Sequence, residues 1–253
     1  MTYEVEYERL VARTYDSVYA VVRDSSGDSA FYRSMAEEIG GPLLELGCGT
    51  GRVLLDSAET GIECVGLDAS NEMLEVLRGK NPPENVSLVH ARIEDFELGV
   101  GRFRLVTAPF RALQHLLDPE RQLAALRNVR RHLTSDGVFV FDVFDPKLAA
   151  LAIAEDPEYL DATFEYQGCE MRRYVTVVKD LSTQVMALTF RFEGENLDLV
   201  GSTKIHLRWY YRYEIEHLLA RAGFSDVTFF RDFVRTPWSS GGEIVGVARL
   251  QPG

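Results

Sequence analysis

The sequence is short of cysteine, of positive charge and of long apolar runs. Its 253 residues include three cysteines, Cys48, Cys64 and Cys169. They show no CxxC spacing and no even framework, which excludes a disulfide scaffold and argues against a metal site. They read as reduced thiols of a cytoplasmic protein. Lys and Arg total 27 against 39 Asp and Glu, a net charge of −12. That balance disfavours nucleic acid or an anionic membrane as a partner held through the whole-protein field. Arg127, Arg130 and Arg131 form the densest basic group, but on one predicted amphipathic helix, where they read as a solvated face. No run approaches the roughly 20 apolar residues of a membrane span. The start, MTYEVEYERL, is acidic and lacks the apolar stretch of a signal peptide. There is no internal repeat and no low-complexity segment. What remains is 46% apolar residues in a chain long enough for one large domain or a domain with a sub-domain.

Helical spacing predicts a helix over residues 3–20, then a polar break at 21–29 and a short helix opened by Ser29 and stopped by Gly40 and Gly41. Apolar runs bounded by Gly and Pro then predict strands at 42–46, 62–68, 86–91, 103–110 and 137–144. Helices separate most of them, one with Ser70 as N-cap and a longer one with Pro119 at its start. This alternation predicts a parallel sheet with helices on both faces. The rhythm changes after Pro146. Residues 161–211 are β-branched and aromatic runs broken by turns, which predicts an antiparallel insertion. A helix at 212–224 and two closing strands follow. The expected organisation is cap helices at 1–40, an α/β domain at 41–146 and 212–253, and an antiparallel β insertion at 147–211 serving as a substrate lid.

The stretch LLELGCGTGR places Gly47, Gly49 and Gly51 directly after a strand and before a helix. Such a loop brings backbone N–H groups and a helix N-terminus to a ligand where a side chain would block approach. A dinucleotide needs G-x-G-x-x-G, but Arg52 occupies the sixth position. S-adenosylmethionine has an amino-acid tail, a ribose and no phosphate. Glu45 suits its ammonium group and would oppose a pyrophosphate. Asp68 ends the next strand, 21 residues after Gly47, where a carboxylate can accept bonds from ribose hydroxyls. A helix-capping or turn role is the other reading of Asp68.

With LLELGCGTGR, the stretches VGLDASNEMLEVLR, RFRLVTAPFRALQHL and LTSDGVFVFDVF resemble the ordered motifs of class I S-adenosylmethionine-dependent methyltransferases over about residues 40–145. The resemblance implies a Rossmann-like sheet of seven strands with the last antiparallel, the strands near VTFFRDF and EIVGVARL forming the closing hairpin. It also implies S-adenosyl-L-methionine as cofactor, with Gly47, Cys48 and Gly49 at the methionyl moiety and Asp68 at the ribose. Ala69 and Met73 would border the adenine, and Ile93, Glu94 and Asp95 would follow the third strand where the adenine amino group is read. Arg92 stands where an acidic residue is common. YDSVY at 15–19, followed by Arg23, resembles the N-terminal helix of small-molecule N-methyltransferases acting on amino sugars and glycine. It implies that Tyr15, Tyr19 and Arg23 approach the cofactor. The two tyrosines also fit the apolar face of an amphipathic helix.

Methyl transfer from a sulfonium is an in-line displacement, so the enzyme mainly aligns donor and acceptor. Thr107, Ala108 and Pro109 would approach the cofactor, while Phe110 and Arg111 would face the substrate. His115 is the candidate base, with Tyr15 beside the reacting centre; a structural histidine is the other reading. Asp142 and Asp145, at the end of the fifth strand, could hold an amine or shape a turn. Trp209 and Tyr211 are candidates for the acceptor pocket, or for sheet packing. No metal is expected. The expectation is therefore an S-adenosylmethionine-dependent methyltransferase with a small-molecule acceptor, nitrogen or oxygen, as monomer or homodimer, without nucleic-acid or membrane partners. An NAD-dependent oxidoreductase and a non-catalytic cofactor-binding module are the alternatives.

Overall fold

A computed structural model describes residues 3–22, 26–195 and 200–250, the side chains of 3–9 and 26 excepted. It divides into two compact units, residues 26–146 with 209–253, and residues 1–25 with 147–208.

The larger unit contains a seven-stranded sheet in the order β10-β11-β5-β4-β1-β2-β3. Its strands are β1 (Leu43–Leu46), β2 (Cys64–Asp68), β3 (Val86–His90), β4 (Phe103–Ala108), β5 (Leu133–Phe144), β10 (Phe224–Phe230) and β11 (Glu243–Leu250). The first five are mutually parallel; β11 runs antiparallel to both β5 and β10. The sheet expected from the apolar runs is therefore present, with the reversed strand inserted beside β5. All four residues of β1 are buried, as a central parallel strand covered on both faces requires.

Alternation along the strands builds two cores. Leu44, Leu46, Val106, Phe139 and Phe141 face one side with α5 (Pro119–His132) and α7 (Arg212–Ala222). Leu43, Leu105, Val138 and Val140 face the other with α2 (Ser26–Ile39), α3 (Arg52–Ala58) and α4 (Asn71–Gly79). Ser70 caps α4 as expected, accepting the Met73 N–H at 3.2 Å, and Asp118 caps α5 through the Arg121 N–H at 2.9 Å. Ser29 does not open α2, which starts at Ser26 and carries Asp28 in its first turn. An acid there complements the positive end of the helix.

The smaller unit holds a four-stranded antiparallel sheet of β6 (Glu155–Tyr166), β7 (Cys169–Asp180), β8 (Val185–Gly194) and β9 (Gly201–Arg208), after the single turn α6 (Leu148–Leu151). Its inner face supplies Phe164, Met171, Val175, Phe190 and Phe192 to a core completed by Leu10 and Val18 of α1 (Tyr3–Val22). The two N-terminal helices are thus not one cap: α1 covers the inserted sheet, whereas α2 packs on α3. An amphipathic stripe states that a helix covers something, not which sheet. The unit boundary also falls at Arg208, before Trp209 rather than after Tyr211. No described helix is long and apolar enough to cross a membrane.

Candidate active site

In the larger unit the strand order reverses between β1 and β4, whose chain successors lie on opposite sides. In an open α/β sheet that switch point opens a crevice at the carboxyl ends of the strands. The loop after β1 and the turn after β4 meet there.

Three glycines build the first loop for three different reasons. At Gly47 a Cβ would lie 2.9 Å from the Ala112 Cβ. At Gly51 it would lie 2.3 Å from Leu77 Cδ1 of α4. At Gly49, with φ of 53°, a Cβ would meet nothing within 4 Å. Only Gly49 borders open space; the other two serve close packing of the protein itself. The loop is tied to β2, since Gly47 N–H and Cys48 N–H both donate to the Leu67 carbonyl, at 2.7 and 3.0 Å. Cys48 is buried, and that burial pushes its thiol pKa up.

Asp68 joins two loops. Its Oδ2 accepts the Gly49 N–H at 2.8 Å and its Oδ1 accepts the Ser70 N–H at 2.8 Å. Burial raises its pKa, and these N–H groups oppose the rise. Each carboxylate oxygen has a second acceptor position. The turn role weighed for Asp68 is therefore real, and it leaves acceptor capacity for a hydroxyl.

Glu45 is 1% exposed, and its Oε2 has no hydrogen-bond partner among the described residues. Burial is the main cause that lifts its pKa to about 8; Asp56 and Asp68 add to the rise, while Arg52 and the Leu54 N–H oppose it. Arg52 is largely committed elsewhere. Its Nη1 and Nη2 donate to Asp28 Oδ1 and Oδ2 of α2, both at 2.8 Å, and its guanidinium lies 5.2 Å from the Phe110 ring centroid.

The turn after β4 is unusual. Phe110 and Arg111 both have positive φ, 52° and 66°, and Ala112 N–H returns to the Pro109 carbonyl at 3.3 Å. Two successive left-handed residues are ordinarily Gly or Asn; each ordinary side chain there costs about 1–2 kcal/mol. Asp142 of β5 is wholly buried, and its Oδ1 accepts the Phe110 N–H and the Tyr32 hydroxyl, each at 2.7 Å. It therefore braces this turn rather than lying open to an amine. Asp145 accepts the Gly241 N–H at 2.7 Å. Arg111 pairs with Glu243 at 3.5 Å and lies 5.2 Å from the Phe144 ring centroid.

His115 ends the short helical turn at Ala112–His115 and is exposed. Surrounding protein lowers its pKa to about 4. The open surface argues for a smaller fall, and on either count the ring is neutral at pH 7. His132, by contrast, is structural: it is buried, its Nε2 accepts the Leu98 N–H at 3.1 Å and its Nδ1 lies 2.8 Å from the Asn128 carbonyl.

The remaining expected residues are less uniform. Ala69 is exposed and Met73 is buried beside it. Ile93 is half-buried. The Glu94 carboxylate takes the guanidinium of Arg121, at 2.6 and 2.9 Å, and that of Arg92 at 2.9 Å. These arginines lower its pKa against the opposing effect of burial. Its Oε1 is thus occupied by protein partners. Trp209 is 1% exposed, so it is an enclosed residue and not an open pocket wall, whereas Tyr211 is 42% exposed and opens α7. The neighbouring Tyr210 is anchored through its hydroxyl to the Leu113 carbonyl at 3.0 Å. Tyr15 and Tyr19 belong to the smaller unit, their ring centroids 4.4 Å apart and Arg173 5.6 Å from Tyr19. Arg23 lies outside the described residues. Sequence reasoning missed Asp28 and Tyr32, which sit on a helix it treated only as a cap. No local pattern marks them, because their partners are 24 and 110 residues away.

Residues 43–137 match the family model described as a methyltransferase domain. The chain is 30% identical over 140 residues to a cypemycin N-terminal methyltransferase from Streptomyces sp, covering 55% of this chain and 57% of that protein. It is 31% identical over 144 residues to a dTDP-3-amino-3,6-dideoxy-alpha-D-glucopyranose N,N-dimethyltransferase from Streptomyces fradiae, covering 55% of each. The chain thus spans little more than half the length of these relatives. The structure of the CcbJ methyltransferase from Streptomyces caelestis superposes with a TM-score of 0.78 at 26% identity, over 97% of this chain and 98% of that one. These matches leave the oxidoreductase alternative without support. The seven-stranded sheet with its one reversed strand, the glycine loop bound to Asp68 and the match over residues 43–137 give this chain a methyltransferase domain with the fold of solved S-adenosylmethionine-dependent methyltransferases.

Proposed function

We propose that the protein moves the methyl group of S-adenosylmethionine to an amine nitrogen of a small molecule in the cytoplasm, by in-line displacement. The observation that carries this reading is the pairing of Gly49 with Asp68: open space at the one, a part-buried carboxylate bonded to its N–H at the other. The residues fit the cofactor. The space at Gly49 leaves room for the methionyl part beside Gly47 and Cys48. The Asp68 carboxylate has acceptor positions for the ribose hydroxyls, and the buried Glu45 Oε2 lacks a partner that an ammonium group would supply. Ala69, Met73 and the Ile93–Glu94 backbone would border the adenine. When bound, the cofactor supplies a methyl group already activated on a sulfonium.

The protein's part is then alignment. Phe110 and Arg111 would present the acceptor from the turn after β4, with Pro109 on the cofactor side and Tyr211 as a further acceptor candidate. An amine that arrives protonated must lose a proton before attack, and a neutral, water-accessible His115 can accept it. The Streptomyces fradiae relative is named an N,N-dimethyltransferase of an amino sugar, which favours nitrogen over oxygen. The test is titration with S-adenosylhomocysteine followed by a turnover screen on amino sugars and small amines. Binding with turnover on an amine supports the reading; binding with turnover only on hydroxyl acceptors overturns the nitrogen assignment.

A further inference from the structure

The turn at 109–112 is held in a costly conformation from a distance. Phe110 and Arg111 are both left-handed, and neither residue type favours that region. The return bond from Ala112 N–H to the Pro109 carbonyl is long, at 3.3 Å. The short bond is the one to Asp142: its Oδ1 takes the Phe110 N–H at 2.7 Å and is itself held by the Tyr32 hydroxyl at 2.7 Å. Asp142 is 0% exposed and Tyr32 is 0% exposed, so no water competes for these bonds. A second tie acts on the side chain. Asp28 of α2 fixes both Nη atoms of Arg52, and that guanidinium lies against the Phe110 ring. Both ties run from α2, one to the backbone of Phe110 and the other to its ring.

We propose that Tyr32 and Asp142 are positioning residues for methyl transfer, holding the turn at 109–112 so that Phe110 and Arg111 present the acceptor, without a part in cofactor affinity. The proposal rests on the methyltransferase reading above. Asp142 acts as an oriented acceptor, not as a charge. A neutral side chain with the same oxygen in the same place is therefore sufficient. The glycine loop has ties of its own, through Leu67 and Asp68, so although Gly47 packs closely on Ala112 of the turn, releasing the brace is expected to spare cofactor affinity.

The experiment uses the full chain with Tyr32→Phe, Asp142→Asn and Asp142→Ala. Three readouts are taken: amide hydrogen exchange at Phe110, titration with S-adenosylhomocysteine, and turnover on a panel of amino sugars. In Tyr32→Phe and Asp142→Ala, exchange at Phe110 is expected to rise at least tenfold and kcat/KM for the amine to fall at least tenfold. S-adenosylhomocysteine affinity is expected to stay within threefold. Asp142→Asn is expected to remain within threefold of wild type in all three, which a role for the charge would not allow. Should Asp142→Ala fail to fold, Tyr32→Phe keeps the ring packing and still decides the matter. Unchanged exchange, a parallel loss of cofactor affinity, or an Asn variant as impaired as Ala would each overturn the proposal. Failure of wild type to bind S-adenosylhomocysteine would instead sink the reading beneath it. Binding without turnover on any amine would overturn the acceptor role alone.

Discussion

Gly47, Gly49 and Gly51 look alike in the sequence and differ in what surrounds them. Spacing shows that side chains are unwelcome; it does not show whether a ligand or the protein's own packing excludes them. Gly49→Ala places its methyl in open space, so the fold should lose only about 1–2 kcal/mol from the left-handed backbone. S-adenosylhomocysteine affinity should fall at least tenfold. Gly51→Ala meets Leu77 at 2.3 Å and should destabilise the fold by more than Gly49→Ala. Denaturant unfolding and ligand titration on the two variants separate the effects. Asp68 stood out as a binding candidate because it is a strand-end carboxylate after a glycine loop, yet its bond to Gly49 was not legible. Asp68→Ala should therefore lower cofactor affinity at least tenfold, and Asp68→Asn less.

Glu45 gives a pH dependence whose sign follows from its burial. Its folded pKa lies near 8, above the ordinary 4.5. Below about 4.5 both states are protonated and the residue costs nothing. Between about 4.5 and 8 the unfolded chain ionises while the folded one keeps its proton, so stability falls as pH rises, by up to about 1.4 kcal/mol per pH unit. Above about 8 the loss is complete and constant. Unfolding of wild type and Glu45→Gln across this range should show the slope reduced in the variant; parallel curves would refute the assignment.

Among the elements, the parallel strands were legible because strands buried on both faces read as short apolar runs between Gly and Pro. LLEL at β1 is the clearest case. The destination of α1 was not legible, since its partners β6 and β9 lie more than 130 residues away in the chain. The turn at 109–112 was hidden for another reason: Phe and Arg give no turn signal, and the brace that holds them comes from α2 and β5. A residue that prefers the left-handed region should relax this turn. Arg111→Gly is expected to stabilise the fold by about 1 kcal/mol while lowering turnover at least tenfold, read by denaturant unfolding beside steady-state kinetics. A variant that is both less stable and fully active would contradict that account.

For the whole molecule, the cofactor class was legible and the acceptor was not. The glycine loop, Glu45 and Asp68 lie within 24 residues of one another, so their grouping survives in the sequence. The residues proposed to present the acceptor and those that brace them, such as Tyr32, Phe110, Asp142 and Glu243, come together from α2, the turn after β4, β5 and β11. No window of sequence contains them. The same fold carries many acceptors, and the cypemycin N-terminal methyltransferase and the amino-sugar N,N-dimethyltransferase match at 30% and 31% identity. The most direct measurement is calorimetric titration of the purified chain with S-adenosylhomocysteine, with NADH as control. The expected result is micromolar-range binding of the first, none of the second, and loss of the first in Asp68→Ala. Binding of NADH alone, or S-adenosylhomocysteine binding indifferent to Asp68, would contradict the account.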